Sequence, residues 1–166
     1  MTHCNAEYQG FYPRIRTIES SHICELIRIA DATRLNQWSA QSYIEELKNP
    51  NSITLCLVSS SNSVIGFIVG RTVISGVIET AVEAEIYNIA VDEVEQGRGY
   101  GQLLFDSFTS ICRERAVANV WLEVRASNAR AIRFYEKNGF AKMQTRNHFY
   151  DNPREHAILM KMVLSR

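Results

Sequence analysis

The chain has 166 residues, 46% of them hydrophobic and 22% charged, which suits one globular domain over 1–166 and leaves no room for two ordinary ones. Eighteen basic side chains offset eighteen acidic ones, for a formal net charge of zero. That argues against general nucleic-acid binding, which needs surplus cations to displace counterions. No apolar run approaches the ~20 residues that span a bilayer. Met1–Gln9 lacks the basic-then-apolar pattern of a signal peptide, so a cytoplasmic protein with a flexible tail at 1–9 is expected.

Phe11–Ile18 alternates and predicts a first strand. Ser20 or Ser21 can cap a helix reaching Asn36, with Ile23, Leu26, Ile27 and Ala30 on one face. Ser39 can cap a second helix through Lys48, which Asn49-Pro50 ends. Ser52–Ser59 and Val64–Ile74 are β-branched, apolar runs joined by the turn Ser60-Ser61-Asn62. Glu79–Val91 is a third run, and its nearly all-apolar end, Ile86–Val91, predicts a central strand covered on both faces. Asp92–Gly101 is polar and glycine-rich. A helix follows with Leu104, Phe108, Ile111 and Cys112 at i, i+4, i+7 and i+8. Val120–Arg125 reads as a strand, Asn128–Asn138 as a helix, and Phe140–Phe149 and His156–Leu164 as strands. The order βααβββαβαββ predicts an α+β layered domain, a mixed sheet with helices on its faces.

The four cysteines, Cys4, Cys24, Cys56 and Cys112, form no C-x-x-C, and no His/Cys cluster has zinc spacing. They read as reduced thiols, with Cys56 and Cys112 in apolar runs, and no metal site is expected.

The turn Gln96-Gly97-Arg98-Gly99-Tyr100-Gly101 joins a buried strand to a helix. A helix N-terminus leaves backbone N–H groups unpartnered and partly positive, and glycines let the backbone approach an anion closely. A P-loop fails here because no Lys-Ser/Thr follows. A Rossmann turn fits at Gly97 and Gly99 but has Gln102 at its third glycine position, although Glu123 lies near the distance of a ribose ligand. A purely structural turn is the third reading.

Gln96-x-x-Gly99-x-Gly101 after the strand Ile86–Val91 resembles the Gln/Arg-x-x-Gly-x-Gly/Ala cofactor motif of the GCN5-related N-acetyltransferases. Asn128-x-x-Ala131-x-x-Phe134-Tyr135-x-x-Asn138-Gly139-Phe140 resembles that family's second motif, in order and at family spacing. Asn88–Asp92 and Trp121–Asn128 resemble the branch that acetylates ribosomal-protein alanine N-termini. Weaker likeness lies at Gln37-Trp38-Ser39 and Arg146–Tyr150, with Gln37 where that branch usually has proline. The strong match spans about Glu85–Phe140.

The resemblance implies the family's mixed, mostly antiparallel sheet of about seven strands with helices on both faces. It implies acetyl-CoA as co-substrate and no metal. Backbone groups of Ile89, Ala90 and Val91 would pair with the pantetheine arm. Gln96, Gly97, Arg98, Gly99, Tyr100, Gly101 and Gln102 would wrap the diphosphate, and Asn128 would contact the cofactor. Glu123 would be the proton acceptor and Tyr135 the proton donor. The implied partner is a protein N-terminus, that of ribosomal protein S18, without nucleic-acid or membrane binding.

Aminolysis of a thioester needs a neutral amine and a proton for the departing thiolate. Deprotonating an α-amine at pH 7 costs about 1 kcal/mol, whereas a lysine costs about 5 kcal/mol. A carboxylate is therefore base enough for a protein N-terminus. Strand alternation puts Trp121, Glu123 and Arg125 on one face. Desolvation beside Trp121 would raise the Glu123 pKa, and pairing with Arg125 or another cation would lower it. A phenol such as Tyr135 can protonate a thiolate and reload from solvent. Taken alone, either residue fits an ordinary structural role, a salt-bridged strand Glu or a packed Tyr. No acyl-enzyme is required, so Cys56 and Cys112 are not nucleophile candidates. The cluster Glu79, Glu83 and Glu85 could receive a basic acceptor tail or form a solvated hairpin face, and Phe149 and Tyr150 could line a peptide groove. Two other readings stay open: acetylation of a small-molecule amine or lysine, and an acyl-CoA-binding module without turnover.

Overall fold

The computed structural model describes residues 13–35, 38–74 and 82–164. The tail at 1–9, Cys4, the start of the first predicted strand at Phe11, Asn36, Gln37 and Glu79 lie outside the described residues. Strand β1 is Arg14–Thr17. The helix predicted from a serine cap starts instead with a 3-10 turn, Ser20–His22, capped by Glu19, whose N–H donates to His22 Nδ1 at 3.1 Å. Helix α1 is Ile23–Ala32. It ends before the predicted Asn36 for two reasons. The Thr33 hydroxyl donates back to the Ile29 carbonyl at 2.7 Å, a bond that competes with the helical ladder. Arg34 then turns left-handed with φ 55°.

Helix α2, Ala40–Leu47, has its predicted cap, with Ser42 N–H donating to Ser39 Oγ at 3.1 Å. Strands β2 (Ser52–Val58) and β3 (Val64–Ile74) form the predicted hairpin. Strand β4 is Val82–Val91, helix α3 Tyr100–Glu114 and strand β5 Val117–Arg125. β5 begins three residues ahead of the expected Val120, because Val117 and Asn119 pair with Val82 and Glu83 of β4. Helix α4 (Ala129–Lys137) and the hairpin β6 (Ala141–Asp151) and β7 (Arg154–Val163) complete the chain order.

The strands form one seven-stranded sheet in the order β1-β2-β3-β4-β5-β7-β6. Among the described residues only β4 and β5 run parallel; every other pair is antiparallel. Helices α3 and α4 bury Leu104, Phe108, Ile132 and Tyr135 on one face with Leu122 and Met160. Helices α1 and α2 bury Leu26, Ile29 and Tyr43 on the other with Phe67 and Val69. The mixed sheet with helices on both faces is the expected fold.

Two features of β4 position the site. Its pairing with β5 stops at Ile86 and Leu122, although β4 runs on to Val91 and β5 to Arg125. Its pairing with β3 slips between Val69 and Gly70, whose partners are Asn88 and Ile86, so Tyr87 is an extra residue in the strand. Such a bulge bends a strand and reverses which face later side chains take. Ala84 and Ile86 pack with α3 and α4, while Ala90, of the same parity, packs with α1.

Gly70 permits that bend. A Cβ there would lie 2.4 Å from the Glu85 carbonyl oxygen and 2.7 Å from Phe108 Cε2. Gly70→Ala should therefore destabilise the fold by about 1–3 kcal/mol, read as a lower midpoint in urea denaturation; an unchanged midpoint would contradict the close approach.

Candidate active site

The end of β4, the N-terminus of α3 and one side of α4 line a cavity of about 600 Å³. Ile89, Ala90, Val91, Gln96, Gly97, Gly99, Tyr100, Gly101, Gln102, Asn128 and Tyr135 all line it. Arg34 and Leu35 close it from the end of α1. A second cavity, of about 80 Å³, shares Ile89, Asn128 and Tyr135 and adds Asn88, Glu123 and Tyr150. The two cavities thus share part of their walls, and Glu123 and Tyr135 both line the smaller one.

The turn before α3 has the conformation that glycine favours. Gly97 has φ 81° and Gly99, the N-cap of α3, φ 82°. A Cβ at either would meet nothing within 4 Å, so backbone conformation rather than crowding calls for glycine. The first N–H groups of α3 have no earlier helical carbonyl to bond and lie at the cavity wall, where they present partial positive charge.

Gln96 braces this turn. Its side-chain amide donates to the Val91 carbonyl at 2.9 Å and accepts from Arg130. Gln102 bonds Asn138 and Asp106, and Asn128 Oδ1 caps α4 by accepting from Ala131 N–H at 3.0 Å. These three side chains brace the walls of the cavity they line. Arg98 is the one predicted cofactor residue that does not line either cavity. It pairs with Glu95 at 3.0 Å, where it offsets an acidic side chain beside the cradle.

On β5, Val120, Leu122 and Val124 face α3 and α4. Trp121, Glu123 and Arg125 take the opposite face, as alternation predicts. Arg125 pairs with Glu155 at 3.4 Å and stacks over Tyr150, so the cation on Glu123 is Arg146 of β6. Glu83 is engaged by Asn119 Nδ2 at 2.8 Å. Glu85 is raised above the usual carboxylate range by its burial and then by the Glu123 charge. Burial pushes the Tyr135 phenol well above its ordinary value, with a smaller contribution from Tyr150. Tyr150 is buried and its hydroxyl donates to the Glu123 carbonyl at 3.5 Å, while Phe149 is partly exposed beneath Arg146.

Residues 23–140 match the acetyltransferase (GNAT) family. The chain belongs to this family.

The acetyltransferase is 32% identical over 153 residues to the ribosomal protein bS18-alanine N-acetyltransferase of Haemophilus influenzae, a match covering 90% of this chain and 98% of that one. Its fold superposes on the ribosomal-protein-S18-alanine N-acetyltransferase from Escherichia coli with a TM-score of 0.79 at 29% identity, over 93% of this chain and 95% of that chain. It also superposes on Ard1 from Thermoplasma volcanium with a TM-score of 0.82 at 31% identity, over 93% and 99% of the two chains. The protein is an N-acetyltransferase.

Sequence reasoning missed three contributors to the acetyltransferase site. Arg146 comes from a distant strand, so nothing local marks it as the partner of Glu123. Arg130 reaches Gln96 across the cavity mouth. Asn88 is a carboxamide inside the otherwise apolar Ile86–Val91, and that break in pattern was a usable signal. Burial pushes the Cys56 thiol up to about 11 and the Cys112 thiol up to about 12, which disfavours a thiolate at either, and neither lines the two cavities. Among the described residues no group of His, Cys, Asp and Glu could hold a metal, and no helix is long and apolar enough to cross a membrane.

The turn geometry gives opposite signs for two neighbouring substitutions. Gly99→Ala forces a side chain into the left-handed region at φ 82°. It should cost about 1–2 kcal/mol of stability. Gly101→Ala lies inside α3, with the nearest heavy atom 3.9 Å from the new Cβ. It should stabilise by about 0.5–1 kcal/mol. Thermal denaturation of both variants checks the pair.

Proposed function

We propose that the protein transfers the acetyl group of acetyl-CoA directly to the α-amine of a protein N-terminus, with the N-terminal alanine of ribosomal protein S18 as acceptor. The observation that carries this reading is the meeting of Glu123 and Tyr135 at one small cavity that shares Tyr135, Ile89 and Asn128 with the glycine-turn cavity. The acceptor follows the relatives named for that activity, one of them similar over nearly the full length of both chains.

The residues present fit the co-substrate. Amides at the N-terminus of α3 and the open, left-handed Gly97 and Gly99 suit a diphosphate. The stretch of β4 beyond Ile86, unpaired on its β5 side, offers strand edge to a pantetheine arm. Bound acetyl-CoA supplies an electrophilic thioester carbonyl. Glu123 takes the proton that the attacking ammonium must lose, the incoming cation competing with Arg146 for the carboxylate. Tyr135 Oη gives a proton to the sulfur as the C–S bond breaks and is reprotonated through solvent. The amine nitrogen sheds its second proton to solvent as the tetrahedral adduct collapses, which balances the reprotonation of Tyr135; it ends bonded to the acetyl carbon, and the thiol leaves neutral. Burial keeps Tyr135 in its protonated, donating form.

The direct test incubates the protein with acetyl-CoA and a panel of N-terminal peptides, then locates the added mass by fragmentation. Modification at the N-terminal alanine is expected; modification confined to lysine would overturn the Nα assignment. Glu123→Gln and Tyr135→Phe should each lower kcat by roughly 10²–10⁴ while leaving acetyl-CoA affinity within about threefold. Unchanged rates in both variants would favour a binding module. The pH profile follows from the same groups. Activity should rise to about pH 8 as the α-amine deprotonates and should not fall again below about pH 10, because the pKa of Tyr135 lies above its ordinary value.

A further inference from the structure

Three side chains bury polar atoms that no other group bonds among the described residues: the Tyr43 hydroxyl, the Trp121 indole N–H, and both Nδ2 and Oδ1 of Asn88. Asn88 alone of the three lines the active-site space. It is 2% exposed. Leaving a buried amide unbonded costs roughly 1–3 kcal/mol per group, so a doubly orphaned carboxamide beside a catalytic cleft calls for a ligand.

The Tyr87 bulge decides where that amide points. Without the extra residue, Asn88 would share the face of Ala84 and Ile86 and sit in the core under α3. With it, Asn88 takes the face of Ala90, toward α1, opposite Val69. That is also the face on which β5 presents Glu123. The amide and the carboxylate therefore border the same side of the gap between the strands.

We propose that Asn88 is the specificity-determining residue for an α-amine over other amines. Its Oδ1 accepts from the acceptor's amine N–H, and its Nδ2 donates to the carbonyl oxygen of the acceptor's first residue. An N-terminal residue carries a donor nitrogen and an acceptor oxygen on adjacent carbons, a pattern complementary to the two ends of one carboxamide. A lysine ε-amine or a simple alkylamine has no carbonyl at that distance and satisfies only Oδ1. The buried Nδ2 is then left without a partner, and that penalty discriminates against such acceptors. The inference rests on the Nα-acetylation reading and deepens it.

The test is a two-by-two comparison of full-length enzymes and acceptors. One acceptor is an alanyl peptide, the other the same peptide with its first amide replaced by an (E)-alkene isostere, which keeps the shape and removes the carbonyl. In the native enzyme, kcat/KM for the isostere should be lower by roughly 10- to 100-fold. Asn88→Leu should lower kcat/KM for the peptide to about the isostere's value, and should change the isostere by less than about threefold, because the lost Oδ1 contact is offset by removal of the unpaired Nδ2; acetyl-CoA affinity should not change. Asn88→Ala, which removes the amide without adding bulk, should behave alike and covers the case in which leucine is not accommodated. Equal losses on both acceptors would mean a structural residue and would overturn the proposal, as would no loss on either. If the native enzyme acetylates no peptide N-terminus, the Nα reading fails and this inference falls with it; turnover without coupling sinks this inference alone.

Discussion

The site depends on the parting of two parallel strands. β4 and β5 are hydrogen-bonded as far as Ile86 and Leu122 and then separate. A parallel pair buried at the centre of a sheet ordinarily continues its ladder, since unpaired backbone groups are costly to bury. Here the Tyr87 bulge bends β4 out of register and Gly70 lets β3 and Phe108 close up against the bend. The sheet is thereby opened at its middle while each flank stays anchored, β1–β3 on one side and β5–β7 on the other. In the proposed reaction, that opening is where thioester and amine would meet.

Side chains from four elements then converge on the gap. Glu123 arrives from β5, Tyr135 from α4, Asn88 from β4 and Arg146 from β6. Two environments are combined. Tyr135 is enclosed by Phe134 and Phe140, its ring centroid 5.5 Å from each, which keeps the phenol neutral. Glu123 lies on the opposite face among polar and cationic groups. In the proposed mechanism, this separation by environment would let one small cavity hold a proton donor and a proton acceptor at one pH. The acidic Glu93 and Glu95 at the cradle weaken its appeal to an anion, and the Arg98 pairing and nearby Arg130 offset them.

Much of this was legible in the chain. The period change after Val91, the glycine turn and the two family motifs pointed to the sheet, to the turn that lines the larger cavity, and to Glu123 and Tyr135, which line one small cavity. Alternation put Glu123 on its observed face because β5 is regular from Val120 onward. Three things escaped. The end of α1 depended on a threonine hydroxyl and a left-handed arginine, neither of which breaks the helical apolar pattern. The ion partner of Glu123 was set by strand order, with β7 between β5 and β6, and sequence distance does not reveal it. The bulge at Tyr87 left no mark in residue type, yet it decides which face Asn88 takes. Gln96, Gln102 and Asn128 line the cavity as expected, and their side chains also bond its walls, which sequence spacing does not reveal.

A crystal structure with a bound conjugate, coenzyme A joined through an acetyl bridge to an alanyl peptide, tests the central claim most directly. The account predicts the sulfur beside the Tyr135 hydroxyl, the diphosphate on the amides of 97–102, and the peptide nitrogen on the Glu123 side of the gap between β4 and β5. A conjugate whose acetyl bridge lies outside that gap, or whose peptide leaves along the α3 face, would contradict it.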